Sequence, residues 1–108
     1  WKEIEVEGPS GRSDSGAAYD SKRGRVILFG GVAAGVGGAR FLADTWAFDG
    51  KTWQKLADTG PAARGMGYLA YDKVRDRVVL FGGRKGWPDG DFADTWEFDG
   101  QAWQQVVK

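Results

Sequence analysis

Asp44-Thr45-Trp46-Ala47-Phe48-Asp49-Gly50-Lys51-Thr52-Trp53 is written a second time as Asp94-Thr95-Trp96-Glu97-Phe98-Asp99-Gly100-Gln101-Ala102-Trp103. The match extends outward from this run. Gly8-Pro9, Arg12, Ala18-Tyr19-Asp20, Arg25-Val26 and Leu28-Phe29-Gly30-Gly31 return as Gly60-Pro61, Arg64, Ala70-Tyr71-Asp72, Arg77-Val78 and Leu80-Phe81-Gly82-Gly83. The offset is 52 residues up to the glycine doublet and 50 after it, so two residues are missing from the second copy's connecting segment. Such a unit cannot bury its own apolar faces and needs a neighbour of the same kind.

Each unit reads as four short strands. The first, near residues 13–19 and 65–71, is rich in glycine, alanine and serine. Charged turns follow at 20–24 and 72–76. The second strand, 25–29 and 77–81, is continuously apolar, which implies burial on both faces. The glycine doublet is expected to end it. Variable loops at 32–41 and 84–91 lead to a third strand at 44–48 and 94–98. Asp49-Gly50 and Asp99-Gly100 then make tight hairpins, because glycine accepts the positive φ such turns need. The fourth strand starts at Trp53 and Trp103. No stretch has a 3.6-residue apolar period, so no helix is expected. A period near 50 built of short strands is the signature of a propeller array, whose innermost strands are crowded and favour small residues.

The N-terminus repeats part of the unit. Trp1, Ile4, Gly8 and Pro9 align with Trp53, Leu56, Gly60 and Pro61. Residues 1–7 therefore read as an orphan outer strand of a preceding or neighbouring unit, 8–58 as the first full unit and 59–108 as the second. The start at Trp1 suggests an excised or processed piece.

A Pro-x-x-Arg lead, a glycine doublet after an apolar strand, and Asp-Thr-Trp-x-Phe-Asp-Gly-x-x-Trp, in that order and twice over, resemble the Kelch repeat. The likeness is to Kelch-type units such as those of galactose-oxidase-like central domains, with phenylalanine (Phe48, Phe98) where tyrosine is common. The resemblance implies an all-β fold of two four-stranded antiparallel propeller blades that are part of a larger ring, commonly of six or seven blades, serving as a binding platform. It places Arg12 and Arg64 near the channel mouth, where each pairs with a repeat acid such as Asp44 or Asp94 or contacts an anion on the rim. Oxidases of this fold use copper with histidine and a cysteine-linked tyrosine; this chain has no histidine and no cysteine, so that activity carries over to no residue here.

Composition narrows the function classes. Fifteen basic residues balance fifteen acidic ones, which argues against a nucleic-acid surface. The basic turns at 22–25 and 73–77 are diluted by Asp20, Asp72 and Asp76 and read as solvated. No apolar run approaches the ~20 residues of a membrane span. Asp89, Asp91 and Asp94 lack the spacing of a calcium loop, so neither metal nor cofactor is expected. Gly30 to Gly38 is followed by no Gly-Lys-Ser/Thr and is not a phosphate loop.

Repeated tryptophans (Trp46, Trp53, Trp96, Trp103) read as packing residues. The second unit's connecting loop differs, with Arg84, Lys85, Trp87 and Asp89 where the first unit is bland. With Arg12 and Arg64 these form the candidate ligand-binding set. The reading is a non-catalytic binding and assembly module whose partners are identical chains, a trimer giving six blades being favoured, or further blades of a longer chain, with a protein or glycan ligand. A lectin-like propeller and a fragment of a propeller enzyme are the alternatives.

Overall fold

A computed structural model describes residues 9, 11–35, 38–86 and 90–106, without the side chains of 34–39 and 85–89. The outer strand expected at 1–7 lies outside the described residues. The described chain is all β, with eight strands and no helix. The strands are β1 (Gly16–Asp20), β2 (Arg25–Gly35), β3 (Gly38–Phe48), β4 (Trp53–Ala57), β5 (Tyr68–Asp72), β6 (Arg77–Gly86), β7 (Gly90–Phe98) and β8 (Trp103–Val106). They form two four-stranded sheets in sequential order, β1-β2-β3-β4 and β5-β6-β7-β8, every neighbour antiparallel. This is consistent with two successive blades.

The turns follow from local chemistry. Asp20 Oδ1 accepts from the amides of Lys22 and Arg23, and Asp72 Oδ1 from those of Val74 and Arg75. Asp49 and Asp99 do the same for the residues two and three further on. An aspartate that bonds its own downstream amides forms the turn before any tertiary contact exists. The Asp-Gly hairpins are looser than expected. Phe48 pairs with Trp53 and Phe98 with Trp103, so four residues make each turn.

The glycine doublet does not end the second strand. β2 runs on to Gly35 and β6 to Gly86, and the doublet is a bulge between Phe29 and Gly31 and between Phe81 and Gly83. Both glycines of each pair have positive φ, 67° and 112° in the first and 69° and 114° in the second. A glycine-type bulge uses such a conformation, and glycine is the residue that adopts it most readily. The segments expected to be loops are therefore extended hairpin arms.

Strand alternation gives each sheet two faces. One, here the leading face, carries Ile27, Phe29, Thr45 and Ala47 in the first sheet. The other, the trailing face, carries Val26, Leu28, Trp46, Phe48 and Trp53. The second sheet turns its trailing face, with Leu69, Val78, Leu80 and Phe98, onto the leading face of the first. Ile27, Phe29, Ala47, Leu69, Val78, Leu80 and Phe98 form the buried core, joined by Trp96 and Trp103 at its edge. The core thus lies between the sheets, as a unit with two apolar faces requires.

Candidate functional site

Both candidate arginines are committed inward. Arg12 Nη1 and Nη2 donate to the two carboxylate oxygens of Asp44 at 2.6 and 3.1 Å, and Arg64 binds Asp94 the same way at 2.6 and 3.0 Å. Trp46 Nε1 and Trp96 Nε1 each add 2.8 Å bonds to those carboxylates. Arg64 also donates to the carbonyls of Ala62 and Gly82, and its guanidinium lies 3.7 Å from the Phe92 ring centroid. Burial acts to raise the Asp44 carboxyl, but the Arg12 and Trp46 bonds outweigh it and hold it below the usual range. Asp94 is held low chiefly by Arg64, against burial. A bidentate pair of this kind braces the chain entering a sheet against the interior of its third strand. Arg64 is 1% exposed, so its role in the described chain is this brace.

The remaining loop candidates divide. Arg84 and Asp91 stand exposed beside each other, Nε to Oδ1 3.9 Å, at the mouth of a cleft of about 270 Å³. Met66, Phe81, Gly82, Gly83 and Phe92 complete its walls. Trp87 and Asp89, and the side chain of Lys85, lie outside the described residues. Among the described residues no three acidic side chains could together hold a metal ion.

The junction between the sheets contains a second set of specific contacts. Trp103 crosses from the second sheet to the first, its Nε1 donating to Thr45 Oγ1 at 2.8 Å and its ring meeting Phe29 edge-on at 5.3 Å. Beside it the backbone at 64–66 enters a slot on the first sheet. Gly31 N donates to Arg64 O, Arg64 N to Leu42 O and Met66 N to Asp14 O, at 2.9, 3.1 and 2.8 Å. A Cβ on Gly30 would stand 2.6 Å from the Arg64 carbonyl, so the doublet also makes room for this chain.

At the opposite end an ion cluster spans the junction. Arg23 binds Asp20 at 2.9 Å within its own sheet and Asp76 at 2.8 and 3.0 Å in the other; Lys22 adds a weaker contact to Asp76. The Arg23 bond, then the Tyr71 hydroxyl, hold the Asp76 carboxyl well below the usual range. Burial, then Asp76 itself, push the Tyr71 phenol up to about 12. Asp76 sits at φ 54°, where the first unit has Gly24. That substitution was the one sequence signal for this cluster.

The second sheet's leading face has no sheet against it among the described residues. Phe29 is 1% exposed, but its repeat mate Phe81 is 53% exposed. Thr45 is fully buried and Thr95 only partly. Tyr68, on the same face, is 71% exposed.

No protein-family model matches the chain, and no curated protein is significantly similar to it. The site must therefore be interpreted from its own geometry.

Proposed function

We propose that this chain is a two-blade segment of a Kelch-like β-propeller, working as a non-catalytic binding and assembly module. It contacts its partner through the loops that follow the glycine doublets and through the channel rim. One observation carries the reading: the leading face that the first sheet buries is left open on the second, where Phe81 and Thr95 repeat Phe29 and Thr45. An apolar sheet face of this kind is an interaction surface. Head-to-tail addition of identical chains then closes a ring if the rotation per chain fits. Two blades per chain make only even rings, and the Kelch resemblance favours six blades, hence a trimer. The exposed Arg84–Asp91 pair supports a recognition role for the second connecting hairpin, since exposed polar groups on a rigid hairpin can be read by a partner without unfolding anything. Light scattering on the full chain at micromolar concentration tests the reading. A mass of three chains is expected; a stable, soluble monomer overturns self-closure.

A further inference from the structure

The cleft at the second glycine doublet is the open counterpart of an occupied slot. Its walls, Met66, Phe81, Gly82, Gly83 and Phe92, are the repeat mates of Asp14, Phe29, Gly30, Gly31 and Leu42. In the first sheet those residues hold the backbone at 64–66. The repeat mates of 64–66 are residues 12–14. The likeness extends to the tryptophans. Trp53 leans on Phe48 at 4.8 Å and 35°, as Trp103 leans on Phe98 at 5.0 Å and 37°. Trp103 Nε1 has Thr45 to bond; among the described residues Trp53 Nε1 and the Thr95 hydroxyl have no hydrogen-bond partner. A Cβ on Gly82 would meet only Phe92 O, at 3.4 Å, where one on Gly30 is crowded by Arg64.

We infer that a second copy of this chain docks its trailing face on the open leading face, laying residues 12–14 along the Gly82-Gly83 cleft and seating Trp53 between Phe81 and Thr95. The inference rests on the assembly reading above and supplies its contacts.

Two departures from the repeat point to a copy of this same chain as the occupant. At the internal junction a Cβ on Gly16 would meet the Gly67 carbonyl oxygen at 2.8 Å and Leu69 Cδ1 at 3.4 Å. At the proposed junction Tyr68 takes the place of Gly16, and Ala17 of the second copy takes the place of Leu69. A small–large pair becomes a bulkier large–small pair, which sets the inner strands further apart at the proposed junction. The second departure is in charge. Internally Arg23 takes an acid from across the junction, Asp76, and position 47 is alanine. At the proposed junction the second copy offers Gly24 where Asp76 would be. Arg75 is supplied instead from its own sheet by Glu97, the mate of Ala47, at 2.6 Å. Each change on one face is matched on the other, as expected of surfaces that meet.

The test uses the full chain in analytical ultracentrifugation. Trp53→Ala disables the trailing face; Gly82→Asn, in which asparagine tolerates the left-handed backbone, and Thr95→Val disable the leading face. Each is expected to weaken association at least tenfold and to keep the wild-type circular dichroism spectrum when dilute. An equimolar mixture of Trp53→Ala with either leading-face variant keeps one intact pair of faces and should give a two-chain species. Ala17→Leu alone should weaken association, and Ala17→Leu with Tyr68→Gly should restore it. Ala17 and Tyr68 lie on opposite outer faces within one chain, so such rescue arises only between chains. A wild type that assembles with both faces' variants unaffected, or with no two-chain species in the mixture, overturns the docking site and leaves the assembly reading standing. A wild type that stays monomeric overturns both.

Discussion

At the scale of single residues, equal sequence does not mean equal energetics. Trp103 fills the junction between sheets, bonded to Thr45, edge-on to Phe29 and tilted against Phe98. Trp53, its repeat mate, touches Phe48 alone among the described aromatic rings. Trp103→Ala is expected to destabilise the isolated chain by about 3–5 kcal/mol, and Trp53→Ala by at least about 1 kcal/mol less, because half-buried contacts leave a smaller cavity. Urea unfolding of dilute protein checks the order. The arginine braces make a second test. Arg64→Ala takes from the Asp94 carboxylate both bonds of its buried partner, leaving it the Trp96 bond, and should cost about 3 kcal/mol. Arg64→Lys should recover only part, since an ammonium cannot make the two-pronged bond or cover the Phe92 ring. Equal stability of the lysine variant and wild type would refute the brace.

At the scale of elements, the glycine doublet governs both the bulge and the fit between sheets. Gly83 has φ 114°, and a Cβ there would stand 3.0 Å from the Gly65 carbonyl and from Arg64 Cδ. Gly83→Val should destabilise by more than about 2 kcal/mol, the sum of backbone strain and steric displacement. Soluble protein with wild-type unfolding behaviour would contradict it. Gly50 also has positive φ but has no atom within 4 Å of a would-be Cβ. Gly50→Asn should therefore carry backbone strain alone and cost less than Gly83→Val, which separates a turn requirement from a packing requirement. Of the candidate recognition residues of the second hairpin, Arg84 and Lys85 lie on β6, an extended strand that runs to Gly86 rather than a slack loop.

At the scale of the whole molecule, the two sheets are joined by the apolar core, the backbone slot and the ion cluster, and the last of these responds to acid. Asp44, Asp94 and Asp76 all have carboxyls held below their ordinary range. A depressed carboxyl adds stability that is complete above the unfolded value, about 4, and lost as pH falls through the folded one. Thermal unfolding followed against pH should thus show a plateau from about pH 5 upward and a decline below about 4. Tyr71 has the opposite sign. Its raised folded value means its contribution is intact below about 10 and lost as pH rises toward 12. Asp76→Asn should make the acid limb shallower while leaving the plateau's onset in place; an unchanged limb would show that the junction cluster contributes nothing.

The duplicated unit, its four strands and its aspartate turns were legible in the chain, because strand propensity, turn chemistry and spacing are local. The Arg12–Asp44 and Arg64–Asp94 pairs were legible as one of two readings, since an arginine and an acid recurring together at each unit need each other once partly buried. The doublet's role was misjudged. Val32-Ala33-Ala34-Gly35 has weak strand character, and only pairing with β3 across a hairpin carries β2 past the glycines. Nor could Trp53 be told from Trp103, Phe29 from Phe81, or Gly30 from Gly82. Each pair shares its local sequence and its place in the strand. Burial is set by what packs on a face, and that neighbour belongs to a distant part of the chain or to another molecule.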